Sequence, residues 1–236
     1  MTILNRGAYD AGLLLDDTYI PGSIAARRAR ADDPHVAPLN ALARDIGERL
    51  DEHVPQLDPE SGGTKARVLL LQRDPYEVAA IGTRMISRHN NDRTDGNTFA
   101  ACEEAGLAYA DTLHWNVIPW WAQDPAKAVG GKDRSVAGEA RRAAPYLRQT
   151  LDLLPNLDTV VLLGNQARTA WARAAGALPE LEDGLRVLAC PHPSPRAWSL
   201  TNAGTGEKNG EITLRVLREA AGAGVTPPVR AVGSGR

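Results

Sequence analysis

Three stretches of this 236-residue chain place polar, chemistry-bearing side chains where an apolar run breaks off at a proline. His192 sits in Pro191-His192-Pro193-Ser194-Pro195-Arg196, directly after the apolar run 185–190. The three alternating prolines stop both helix and ladder, and they fix the backbone around one imidazole and one hydroxyl. Asp74 lies in Gln72-Arg73-Asp74-Pro75-Tyr76-Glu77, just past the run Val68-Leu69-Leu70-Leu71. Asn116 closes a third run and is followed by Val117-Ile118-Pro119. A carboxylate can activate water, an imidazole can donate or take a proton, and a buried amide presents both a donor and an acceptor to a ligand. Each also has a bland reading: an Asp-Pro turn, a loop histidine, a paired core amide.

The elements that must position these groups follow from hydrophobic spacing. Residues 68–71, 111–117, 158–163 and 185–190 read as four strands, the first of them central in a parallel sheet. Leu39, Leu42, Ile46 and Leu50 share one face of a helix over 36–53. Further helices are expected over 98–106, over 135–154 with a bend at Pro145, from 165 to about 175, and over 211–221. Residues 77–88 read as partly helical and 61–63 as a loop. The run 88–97 reads as an exposed polar loop; its His89, Asp92 and Asp95 fit no standard metal-ligand spacing. Strands alternating with helices predict an α/β fold, a three-layer αβα sandwich around a four-stranded parallel sheet. Asp74, Asn116 and His192 all fall at or past strand ends, so they should gather at the carboxyl edge of that sheet.

Composition narrows the classes. The net charge is −2, which does not indicate a strongly cationic nucleic-acid binder, although 27 Lys and Arg leave room for a local basic face. The run Arg27-Arg28-Ala29-Arg30 could touch phosphates, but such runs are more often solvated. Two cysteines, Cys102 and Cys190, argue against a disulfide framework, a four-thiolate zinc site and a four-cysteine iron–sulfur cluster. No apolar run suits a membrane span, and no signal-like segment opens the chain, so the expected location is cytoplasmic. One domain is expected over 1–222, with 1–35 as an N-terminal extension, a loop at Gly130-Gly131 and a disordered tail over 223–236. No Gly-x-Gly-x-x-Gly follows the first strand, which disfavours a dinucleotide enzyme.

Taken in this order, on these strand ends, the residues resemble the uracil-DNA glycosylase superfamily. Asp74-Pro75-Tyr76 is similar to its Asp-Pro-Tyr motif, and His192-Pro193-Ser194-Pro195 to its His-Pro-Ser-Pro motif. Asn116 occupies the place of the asparagine that reads the uracil edge. Phe99, the only phenylalanine, lies where the iron–sulfur members carry a base-stacking ring. Arg196 resembles the arginine wedge of the single-strand-selective type. The resemblance covers about residues 65–200. It implies a monofunctional glycosylase that removes uracil from DNA in base excision repair, with DNA as partner, no cofactor, no metal, and a monomer. The implied roles are catalytic for Asp74 and His192, base-binding for Tyr76, Phe99 and Asn116, and DNA-binding for Arg73, Ser194 and Arg196. Tyr76, held by Pro75, would exclude a methyl group at the pyrimidine C5.

Gln72-Arg73 stands where the family has Gly-Gln, Glu77 stands where a histidine follows the motif, and the four cluster cysteines are absent. Two other readings therefore stay open at this point. One is a nucleic-acid-binding member without turnover. The other is an N-glycosidase acting on free nucleosides, against which Arg196 and the loop arginines weigh.

Overall fold

The computed structural model describes residues 2–122, 124–127 and 134–222. The expectations for the Gly130-Gly131 loop and the 223–236 tail lie outside the described residues. In chain order the strands are β1 (Gln56–Leu57), β2 (Val68–Gln72), β3 (Met85–Ile86), β4 (Thr112–Asn116), β5 (Thr159–Leu163) and β6 (Arg186–Cys190). The helices are α1 (Arg6–Asp10), α2 (Ser23–Arg28), α3 (Ala37–Leu50), α4 (Arg93–Glu104), α5 (Val136–Asp152), α6 (Asn165–Ala177), α7 (Pro195–Trp198) and α8 (Asn209–Ala221).

The main sheet runs β4-β2-β5-β6, every pair parallel, as the alternation of strands and helices predicts. Side chains alternate across it. Leu69, Leu71, Leu113, Trp115, Val160 and Leu162 point to one face, where they meet residues of α3, α5 and α6. Val68, Leu70, Val161 and Leu163 point to the other, against α4 and α8. Helices thus cover both faces, and the strands read as unbroken apolar runs for that reason. β1 and β3 pair as a separate two-residue parallel ribbon, Leu57 opposite Ile86.

β2 leads through α4, on one face, to β4. β5 leads through α6, on the opposite face, to β6. The two adjacent strands therefore send their connections to opposite sides, which opens a crevice at their carboxyl ends.

Several expectations change. The residues 77–88 form a π-helical turn over Val78–Gly82 followed by β3. The helix expected from Thr98 begins at Arg93, because Asp92 caps it by accepting from the backbone N–H groups of Thr94 and Asp95. Gly106, at φ +69°, ends it as expected. The segment read as an exposed loop is the reverse: Arg88, His89 and Asn90 are buried. α5 continues through Pro145, and α8 starts two residues early, at Asn209. Arg27 is not solvated either. It is buried against Asp58, with Nη1 2.8 Å from Oδ1 and 2.9 Å from Oδ2.

Candidate active site

A cavity of about 290 Å³ lies in the crevice between the ends of β2 and β5. Asp74, Asn116 and His192 all line it, as the strand-end argument predicts. The ladder carries two of them directly. Gln72 pairs with Asn116 in register, and the zipper continues past the strands: Val117 N–H donates to Gln72 O (2.9 Å) and Ile118 N–H to Arg73 O (2.9 Å). Asp74 and Asn116 therefore sit side by side on one rigid edge.

Both oxygens of Asp74 are held. Oδ1 accepts from Arg73 Nε and Oδ2 from the N–H of Ala122 at 3.0 Å. Burial raises the Asp74 pKa above the ordinary carboxylate range, while Arg73 and the Ala122 N–H pull it down. The result is a carboxylate fixed in orientation and poorly solvated, the state suited to accepting a proton or facing a cation.

His192 is set by its own loop. The backbone N–H of Ser194 lies 3.1 Å from His192 Nδ1. An N–H only donates, so Nδ1 is the acceptor and a neutral ring must carry its hydrogen on Nε2. Burial lowers the His192 pKa, with Arg73 adding to the effect and Asp92 opposing it. The ring thus presents a neutral Nε2–H donor. Two further contacts pin the loop. Asn97 Nδ2 donates to Pro193 O at 2.7 Å. Gly164, at φ +93°, ends β5 so close to the histidine that a Cβ there would lie 2.6 Å from His192 Cβ.

Asn116 is 3% exposed, and no described residue engages its side-chain amide in a hydrogen bond. A buried amide without a protein partner, on the wall of a cavity, has a donor and an acceptor free to pair with a ligand. The three groups together offer a carboxylate, a neutral N–H donor, and a paired donor and acceptor.

The other expected site residues fall differently. Tyr76 stands at the rim, 71% exposed, with its ring edge-on to Trp121 at 6.4 Å. Arg73 turns inward onto Asp74, whose buried charge attracts it more than solvent does. Ser194 contributes its backbone N–H to His192 and lines an adjoining groove that shares His192 and Gln166 with the cavity. Arg196 is exposed on α7, and its guanidinium has no hydrogen bond or ion pair with a described residue.

Phe99 does not line the cavity. It packs in a cluster with Ala8 and Leu14, its ring against Gly7 so closely that a Cβ there would lie 2.7 Å away. The helical turn gained at the start of α4 rotates it into the core.

In its place the wall is polar. Ser87, Asn90, Asp92 and Asp95 line the cavity beside Ile86, and sequence reasoning missed them all. Asp92 carried a legible signal, an aspartate two and three residues before the N–H groups it caps. Burial, with Asp92 adding to it, pushes the Asp95 pKa well above the carboxylate range, and Asn90 opposes the shift. Among the described residues, no cluster of three or more ligand-type side chains could hold a metal ion, and no helix is long and apolar enough to cross a membrane.

Fold and cavity define an α/β protein with a polar crevice at a sheet switch point. A family model described as the uracil DNA glycosylase superfamily matches residues 59–217, and the chain belongs to that superfamily. Its members are DNA glycosylases, hydrolases that act on damaged DNA. Among curated proteins none matches the chain. The matched region holds the whole main sheet and Asp74, Asn116 and His192; it leaves out α1, α2, α3 and β1.

Proposed function

We propose that this protein is a monofunctional glycosylase that hydrolyses the bond between uracil and deoxyribose in DNA. The observation that carries the reading is the joint presence in one cavity of an anchored carboxylate, an unengaged amide and a neutral Nε2–H donor. Cleavage of the C1′–N1 bond leaves positive charge on the sugar and negative charge on the departing base. Asp74 faces the sugar cation and orients a water whose oxygen bonds to C1′, the water proton passing toward the carboxylate. His192 Nε2–H donates to the pyrimidine O2, where negative charge grows. Asn116 accepts from N3–H and donates to O4. Cytosine reverses that pattern and leaves the amide mispaired.

A target base must leave the duplex stack to enter such a cavity. Arg196, exposed on α7 just after the His192 motif, takes the role of filling the vacated stack or reaching a phosphate in this reading. In this reading the enzyme works as a monomer on DNA in the cytoplasm, and Arg73 serves Asp74 rather than the backbone of the DNA. The test is purified protein on oligonucleotides carrying one uracil, hypoxanthine or thymine, followed by alkaline cleavage of abasic sites. Uracil strands should be cut. Intact strands in every case would overturn the reading and favour binding without turnover.

A further inference from the structure

The polar wall of the cavity is tied in part to residues outside the family-matched region. Residues 87–92 have no regular secondary structure, so their backbone groups need other partners. Some are local: Arg88 N–H meets the Tyr109 hydroxyl at 3.4 Å, His89 N–H the Ser87 hydroxyl at 2.9 Å, and the Asn90 side chain meets Thr83 and Met85. The others come from the first 31 residues and from Asp58. Asn5 is fully buried; its Nδ2 donates to the carbonyls of Arg88 (2.9 Å) and Asn90 (3.0 Å), while its Oδ1 caps α1 by accepting from Ala8 N–H (3.2 Å). Leu15 N–H donates to His89 O at 2.9 Å. Asn91 accepts from Leu4 N–H at 2.7 Å and donates to Asp16 at 2.6 Å. Arg27 reaches both Asp58 and, at 3.1 Å, His89 Nδ1; burial keeps that imidazole neutral, its pKa lowered to about 4. Asp58 in turn accepts from the hydroxyls of Ser87 and Tyr109. Phe99, wedged between Gly7, Ala8 and Leu14, locks α1 to α4, whose cap is Asp92.

We propose that residues 2–31 form a clamp that sets the position of the Ser87–Asn90–Asp92 wall, with Asn5 and Arg27 as positioning residues for the bound base. The catalytic part of this inference rests on the glycosylase reading; the structural part does not. A wall built on a loop is mobile unless tied, and misplacing a bound reactant by about 1 Å can cost on the order of a hundredfold in rate.

The test is Asn5→Asp, which keeps the shape and the α1 cap but sets an oxygen against the two carbonyls it now serves. Hydrogen exchange at the amides of Arg88, His89 and Asn90 should accelerate, while β2 and β5 stay protected. On uracil DNA kcat should fall roughly tenfold to a hundredfold with KM little changed. Asn91→Ala, at a less buried tether, should give the same pattern at smaller size, and it decides alone if Asn5→Asp does not fold. Unchanged exchange at 88–90, faster exchange throughout the chain, or local loosening without loss of kcat would each overturn the clamp. A parent protein inactive on every base would sink the glycosylase reading instead, and the exchange pattern would still decide whether residues 2–31 hold the wall.

Discussion

Asp74 and Asn116 are held from beneath by a parallel ladder, whereas Ser87, Asn90 and Asp92 are held from the side by residues up to 85 positions earlier. The two walls of one cavity thus draw rigidity from different sources. The ladder side rests on backbone bonds and two apolar faces, and it tolerates change only at the cost of the core. The clamped side rests on side-chain amides and one buried ion pair, where removal of a single partner leaves others unsatisfied. In the proposed reading, the groups whose chemistry tolerates no displacement sit on the first side, and the groups that would shape the space around the base sit on the second.

The sharpest way to test that contrast is at Asp74. Asp74→Asn should lower turnover on the order of a thousandfold, about 4 kcal/mol, with DNA affinity similar, because the charge acts in the transition state. Stability should move the other way. Burial raises the folded-state pKa of Asp74 above its ordinary 3.8. Stability from such a group is present below the unfolded pKa and lost as pH rises through the folded one, so at neutral pH the ionised carboxylate destabilises the fold. The amide should therefore melt at the same or a higher temperature. A large drop in melting temperature would make Asp74 a structural residue. By the same shift, the acid limb of the parent's rate profile should lie above pH 3.8, with no step near 6.5 because His192 stays neutral. A rate that doubles or halves through pH 6.5 would contradict the Nε2–H assignment.

His192→Ala comes next, at ~100- to 1000-fold in single-turnover rate, the usual loss for one preorganised donor. A loss below about threefold would remove the imidazole from the mechanism. Since the Ser194 N–H and Gly164 fix the ring, Gly164→Ala should reproduce part of this loss through the clash at 2.6 Å. Normal activity in Gly164→Ala would show that the loop can yield.

The ladder side was legible in the sequence, and the clamped side was not. Val68–Leu71, Thr112–Asn116 and Thr159–Leu163 are buried on both faces; apolar runs mark the first and third within a residue, and Leu113 and Trp115 mark the second. Proline and glycine then mark where they stop. Arg88, His89 and Asn90 carry the opposite signal: polar residues read as solvated, and only partners such as Asn5 and Arg27, distant in the chain, explain their burial. Thr94, Asp95, Gly96 and Asn97 are poor helix formers, which hid the first turn of α4 behind an aspartate cap. That missed turn misplaced Phe99. Phe99→Leu should cost about 1 kcal/mol of stability or somewhat more, with uracil DNA bound as before. A ring that stacks on the base would instead lose about 1–3 kcal/mol of affinity; a calorimetric melt and a DNA titration on the same sample separate the two.

Arg196 should give the smallest effect and the most informative one about substrate. It belongs to neither wall: α7 has only four residues, and its exposed guanidinium makes no hydrogen bond or ion pair with a described residue. Its stem starts from Pro195, behind the rigid His192 turn, so its reach is fixed even though its tip is not. In a duplex, extruding a base costs a few kcal/mol of pairing and stacking, and a planar cation inserted into the gap can recover part of that. In a single strand there is little stacking to recover. Arg196→Ala should therefore lose roughly tenfold, about 1.4 kcal/mol, on double-stranded uracil DNA and almost nothing on single-stranded DNA. Raising salt should change that ratio little, because stacking releases few counterions. Equal losses on both substrates, growing as salt falls, would mark a phosphate contact instead. No loss on either would place Arg196 in solvent throughout the reaction and leave the gap in the duplex to another side chain. Leu200, 54% exposed in the groove that adjoins the cavity, is then the next residue to replace.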